Sequence, residues 1–418
     1  MQDKLLFVYL LLAALSASDR RATLSAAVSD RYIVVLRDDT GNVPAVVNEH
    51  ARDFGVIVER VYGHALRGYA GVVPAGRLAD IEADPRVAFV SQDRPVWAVG
   101  QTLPTGVDRV DAEQRSGFAS NGGVGVAVID TGSGPHPDLN VVGGVNCSTG
   151  TSFRDGNGHG THVAGTIGAI NNNAGVVGVA PGVPIYSVRV LNDAGNGTFA
   201  NVICGIDWVT ANAASTGIKV ANMSLGGAGS DGGDCSTTTE ALQKAICNSM
   251  AAGITYVVAA GNSASDFASF VPAAYDQVLT VTAMADFNGQ PGGGADATCL
   301  SDVDDTAAEF SNFTTANSAD ASHTIAAPGV CIFSTWRGGY KTVSGTSMAA
   351  PHVTGSVAAC LAPGAPCAGM TPDQVMAKLI ADAAGQPLSY GFAGDPNHPL
   401  MSNSTTLYYG YLVRAASY

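Results

Sequence analysis

The chain has 418 residues, 46% hydrophobic and only 13% charged, with 51 glycines and a formal net charge of −14. Such a composition describes a compact, loop-rich globular protein and excludes a disordered one, and the acidity excludes nucleic acid, whose binding needs a basic face. The charge is uneven: residues 1–99 carry 11 Lys and Arg against 12 Asp and Glu, residues 100–418 carry 10 against 23, which predicts two parts with different fates.

In chain order, residues 5–15 (LLFVYLLLAAL) form an apolar run after Lys4, followed by the small residues Ser16, Ala17 and Ser18. The run is too short to span a bilayer and reads as the core of a secretory signal peptide over residues 1–27. It predicts a secreted, extracellular protein with no membrane association once the signal is removed. Residues 28–99 read as strand, helix, strand, strand, helix, strand, the order of a small ferredoxin-like α+β unit. A Gly- and Pro-containing stretch over residues 97–107 reads as the linker. Within residues 100–418, apolar β-branched runs at 123–130, 183–191, 218–225, 253–261 and 277–284 alternate with helical stretches. That alternation predicts an α/β domain with a mostly parallel sheet covered by helices on both faces, and a site at the carboxyl ends of its strands. Two inserts, 287–324 and 385–406, read as surface loops, and Asp302, Asp304 and Asp305 in the first as a solvated acidic patch.

All eight cysteines follow Gly100, which suits an oxidising compartment. Cys235 with Cys247 and Cys360 with Cys367 are close enough for local pairs. Cys147, Cys204, Cys299 and Cys331 are left, and spacing does not choose among the pairings.

Three segments carry chemistry. VAVIDTG ends an apolar strand on Asp130, where a charge is costly unless paired. GNGHGTHVAGT sets His159 between Gly158 and Gly160 at the start of a helix, a place that leaves its ring accessible; His162, a turn deeper, reads as packed. His136, His323, His352 and His398 read as structural or exposed. SGTSMAAPHVTG crowds small residues around Ser347. A serine hydroxyl needs a base to take its proton, and the base needs an orienting group. Gly122, Gly123 and Gly125 precede a strand, whereas a dinucleotide fingerprint follows one.

Taken in the order Asp, His, Ser, these motifs resemble the subtilisin-like serine proteases (subtilases), over roughly residues 105–418. The resemblance implies an endopeptidase that works through an acyl-enzyme, with Ser347 as nucleophile, His159 as base and Asp130 as its orienting partner. VVAAGNS implies Asn262 as an oxyanion donor. Ser224, Leu225 and Gly226 resemble the strand that pairs with an extended peptide, and Gly195, Asn196 and Gly197 the facing strand. Ala259, Ala260 and Gly261 would wall a primary pocket of neutral, apolar preference. IGAINNNAGVVGVAP resembles a calcium loop, implying Asp138 and Asn172 as ligands with the carbonyls of Ile170, Ala174 and Val176. Residues 28–99 resemble the family's inhibitory propeptide, cut off by the enzyme itself. The expected partners are protein or peptide substrates and this propeptide, acting on a monomer with no catalytic cofactor. A binding protein on a dead scaffold is disfavoured because all four chemical positions are present. An α/β-hydrolase esterase is disfavoured because GTSMA lacks the second glycine and the order is wrong.

Overall fold

The computed structural model describes residues 30–93, 100–115, 117 and 124–418. The expected signal peptide lies outside the described residues, as do positions 97–99 of the expected linker. The chain divides into two compact units, Met1–Val99 and Gly100–Tyr418.

In the first unit, β1 (Arg31–Leu36), α1 (Val43–Phe54), β2 (Ile57–Tyr62), β3 (Gly68–Val72), α2 (Leu78–Glu82) and β4 (Val87–Gln92) follow the predicted order. The strands form an antiparallel sheet, β2-β3-β1-β4. Helix α1 starts where Asn42 caps the Ala45 N–H and stops at Gly55, which is left-handed at φ 71°. Its apolar stripe buries Val46 and Val47 against Val34, Leu36, Tyr69 and Ile81.

The second unit is built on eight parallel strands. These are β5 (Gly125–Asp130), β6 (Val141–Asn146), β7 (Ile185–Arg189), β8 (Ile218–Met223), β10 (Thr255–Ala259), β12 (Leu279–Ala285), β13 (Thr324–Pro328) and β16 (Tyr411–Leu412). Their order is β16-β13-β12-β10-β8-β5-β7-β6, and the short strand Thr306–Ala307 adds antiparallel to β12. Outside this sheet lie the two-residue strands β9 (Gly227–Ala228) and β11 (Phe270–Val271), which pair with each other, and the hairpin β14 (Ile332–Trp336) and β15 (Gly339–Val343).

Alternate residues of the strands feed two cores, as a sheet covered on both faces requires. Val126, Val128, Val220, Val257 and Val281 meet α3 (His159–Gly168), α6 (Thr346–Cys360) and α7 (Pro372–Ala384) through Val163, Ile167, Val353 and Leu379. Ala127, Ile129, Ala221 and Val258 meet α4 (Phe199–Thr216) and α5 (Ala241–Ala251) through Val202, Ile206 and Ile246. Strand β13 lies at the end of the segment expected to be loop, and β6 was not expected; the Gly143-Gly144 pair in β6 and the small Ala326 and Ala327 before Pro328 in β13 interrupt the β-branched run that marks the other strands. The linker is shorter than expected. Thr102 already bridges Val176, and residues 105–109 are helical.

The acidic patch is buried, which corrects the solvated-loop expectation. Asp302, Asp304 and Asp305 are 6%, 5% and 7% exposed. Asp304 accepts from Phe287 N and Ala295 N, and Asp305 from Gly292 N, Gly293 N and the fully buried Arg109. Their carboxylates replace water for a loop that has few backbone partners of its own. The disulfides are Cys147–Cys204, Cys235–Cys247, Cys299–Cys331 and Cys360–Cys367, so both local pairs form. Among the described residues, no helix is long and apolar enough to cross a membrane.

Candidate active site

Asp130 closes β5 and is fully buried. Its carboxylate accepts from Thr131 N at 2.6 Å and from His159 Nδ1 at 2.8 and 2.9 Å, so the charge at the strand end is paired. Helix α3 can bring His159 there because Gly160 has no Cβ. One added at that position would lie 2.1 Å from the Gly132 carbonyl oxygen, and one at Gly158 would strike the Trp336 ring. The flanking glycines therefore serve close packing, and not only access to the ring. Asp155 organises the same turn. It accepts from Asn157 N, Gly158 N and Thr161 N at the amino end of α3 and from the Thr131 hydroxyl. Nothing in the composition of RDGNGHGTH marks that aspartate as different from any turn residue.

Burial disfavours a charged His159, but the Asp130 carboxylate and its hydrogen bond outweigh this, with help from Asp155, and raise the imidazole above its ordinary 6.5. His162 is packed as expected. Its Nε2 lies 3.0 and 3.1 Å from the carbonyls of Ile332 and Lys341, and burial pushes it down to about 4.

Ser347 is the second residue of α6. Its hydroxyl donates to the Ser224 carbonyl at 3.3 Å, and among the described residues it makes no hydrogen bond to His159. Such contacts often tighten only when substrate is bound. The proline of SMAAPH has a structural reason. Pro351 has no N–H, so the carbonyl of Ser347, four residues back, lacks its helical donor. The Ser224 hydroxyl fills that vacancy at 2.8 Å and ties the start of α6 to the segment directly after β8.

Asn262 follows β10. Its Oδ1 accepts from Thr346 N at 2.8 Å and from the Thr346 hydroxyl at 2.9 Å, which fixes the amide with Nδ2 beside Gly345. Asn312 braces this turn. It donates to the Ala260 carbonyl and accepts from Ser263 N. Nothing in the residues around Asn312 signals this tertiary role.

A cleft of about 590 Å³ opens beside His159, lined by Gly195, Asn196 and Gly197 on one side and Ser224, Leu225, Gly226 and Gly227 on the other. Leu191, Phe199 and Val202 make its floor apolar. Ala259 and Ala260 are 3% and 0% exposed, with their methyl groups in the two cores. The ring of Phe270 occupies the space between Gly226 and Gly261. A Cβ on Gly226 would meet it at 2.5 Å and one on Gly261 at 3.1 Å. Pairing of Phe270 with Ala228 holds it there.

Away from the cleft, Gln101 Nε2 lies 2.6, 3.2 and 2.9 Å from the carbonyl oxygens of Ile170, Ala174 and Val176. One amide group carries two hydrogens, so three carbonyls exceed what it can satisfy. Asp138, 2% exposed, adjoins them. It accepts from Val176 N at 2.9 Å and from Asn172 Nδ2 at 3.3 Å. This convergence of hard oxygens fits a calcium ion better than an amide. Gln101 was not among the residues expected at this loop, because it lies within the expected linker, some seventy residues from the carbonyls it meets.

A family model described as "Subtilase family" matches residues 121–406. The chain belongs to the subtilase family. This subtilase is 37% identical over 281 residues to "Alkaline protease" of Alkalihalobacillus alcalophilus, covering 66% of this chain and 64% of that protein, just under two thirds of its length. It is 32% identical to "Subtilisin E" of Bacillus subtilis (strain 168), covering 86% of this chain and 90% of that one. Among solved structures, the crystal structure of a cold adapted subtilisin-like serine proteinase is similar with a TM-score of 0.52 and 33% identity, covering 74% of this chain and 98% of that one.

Proposed function

We propose that this subtilase is a secreted serine endopeptidase in which Ser347 attacks the peptide carbonyl. His159 takes the serine proton and delivers it to the leaving amine, and Asp130 holds the ring in the tautomer that presents Nε2 to the serine. The N–H of Ser347 and the side-chain amide of Asn262 receive the oxyanion, at the positive end of α6. The observation that carries this reading is the Asp130–His159 pair, at 2.8 Å, beside a cleft that also adjoins Ser224 and the start of α6.

The substrate main chain would pair with 224–227 and 195–197, with apolar side chains over Leu191, Phe199 and Val202. Phe270 narrows the expected apolar pocket, so the residue before the cut should be small: Ala or Gly, not Phe or Leu. Calcium would be held by Asp138, Asn172, Gln101 and the carbonyls of Ile170, Ala174 and Val176, fixing the loop that follows α3. It takes no part in the bond cleavage. Residues 28–99 would act as an inhibitory propeptide released by the enzyme itself, from a chain exported by residues 1–27.

Intact mass and amino-terminal sequencing of the secreted protein, wild type beside Ser347→Ala, test this. Wild type should begin near residues 98–107, and the variant should keep the prosegment. Identical processing of both would defeat the self-cleavage reading.

A further inference from the structure

Asp276, Asp320 and His323 place one ligand atom each within 4.8 Å of one another. Asp276 lies in the turn that leads into β12. Asp320 and His323 lie in the 3-10 turn Ala319–His323 that leads into β13. These strands are parallel neighbours, so the cluster sits at their amino ends. Asp130 and Asn262 lie at or after the carboxyl ends of their own strands, on the opposite edge of the sheet.

The His323 side chain is 2% exposed, yet among the described residues neither ring nitrogen has a hydrogen-bond partner. Nε2 stands 3.6 Å from a carboxylate oxygen of Asp276 and 3.6 Å from one of Asp320. A charge-assisted N–H···O bond closes to about 2.7–2.9 Å, so these gaps are too wide for a proton to bridge well. They suit an ion at the centre instead. Tetrahedral ligands about 2.1 Å from a metal lie about 3.4 Å from one another. The other oxygen of Asp320 accepts from the Ser318 hydroxyl at 2.8 Å, which keeps Oδ1 turned toward the imidazole. Phe267 packs edge-on to the ring at 6.1 Å and closes the apolar side. The Asp276 side chain is 53% exposed and leaves a way in.

We propose that Asp276, Asp320 and His323 form a site for a divalent transition ion of the zinc class, with water in the fourth position. One imidazole and two carboxylates match the borderline-soft preference of zinc, whereas calcium takes six to eight oxygens. The ion would tie the turn before β12 to the turn before β13 and pin the amino ends of two core strands. It would offset the negative charge that Asp231 and Asp234 add beside Asp276. It stabilises the fold and does not reach the cleft.

The test uses the full-length Ser347→Ala protein, stripped of metal, returned to calcium and titrated with Co2+, whose visible absorption reports tetrahedral nitrogen and oxygen ligands. One equivalent should develop that spectrum and Zn2+ should displace it. His323→Gln and Asp276→Asn should each weaken binding at least tenfold, and in the Ser347 background neither should change peptide hydrolysis. No tetrahedral spectrum in the parent protein, or one that survives both substitutions, overturns the site. Asp276→Asn lies in an exposed turn and keeps the test decisive if the buried variant does not fold.

Discussion

Phe270→Ala should turn a small-residue protease into one that accepts large apolar residues before the cut. The ring fills the gap between Gly226 and Gly261, where Cβ atoms would stand 2.5 and 3.1 Å from it. Truncation vacates the volume of a phenyl ring, and a Leu or Phe side chain of the substrate can refill it. Burying such a side chain is worth about 1.5–3 kcal/mol, which corresponds to about 10- to 150-fold in kcat/KM. Peptides identical except for Ala, Leu or Phe before the cut provide the assay. The wild type should prefer Ala, and the variant should raise the Phe-to-Ala ratio by that factor. Phe270 is half-buried, so the stability loss should fall below the about 3–5 kcal/mol of a fully buried ring, and calorimetry checks that the variant is folded. Efficient wild-type cleavage after Phe, or an unchanged ratio in the variant, would refute the argument.

Four further outcomes are expected. Asn262→Ala should lower kcat by about 100- to 1000-fold with little change in KM, since the amide meets charge that exists only in the transition state; steady-state kinetics read this directly. Because the base must be neutral and Asp130 holds His159 above 6.5, the acid limb of kcat/KM should fall as pH drops through a value above 6.5. Asp130→Asn should lower turnover by about 10,000-fold by favouring the wrong tautomer, and in a pH profile its residual activity should persist to lower pH. Calcium should raise the melting temperature and a chelator lower it, and Gln101→Leu should shrink the difference; an unaltered melting temperature on chelation would remove calcium from the account.

Elements whose signal is local were legible in the sequence. The strand before Asp130, the helix after His159 and the helix after Ser347 announce themselves by apolar runs and flanking glycines, and all lie where expected. Residues that act only across the fold were not. Asp155, Asn312 and Gln101 look like ordinary loop residues until tertiary structure brings their partners to them. Phe270 reads as one more apolar residue until β9 and β11 pair and its ring comes to lie between Gly226 and Gly261. The acidic insert misled for the same reason. Three aspartates within four residues suggest solvent, yet backbone N–H groups and Arg109 had to be satisfied inside. Pro351 is the converse case, a helix breaker within a helix, whose cost is offset by Ser224 filling the carbonyl it leaves open.

The central claim is that Ser347 is the nucleophile, activated by His159. Reacting the processed enzyme with a fluorophosphonate and mapping the adduct by peptide mass spectrometry tests it most directly. One adduct is expected, on Ser347, that forms far more slowly in His159→Ala with loss of peptidase activity in parallel. An adduct on another residue, or full activity with Ser347 modified, would contradict it.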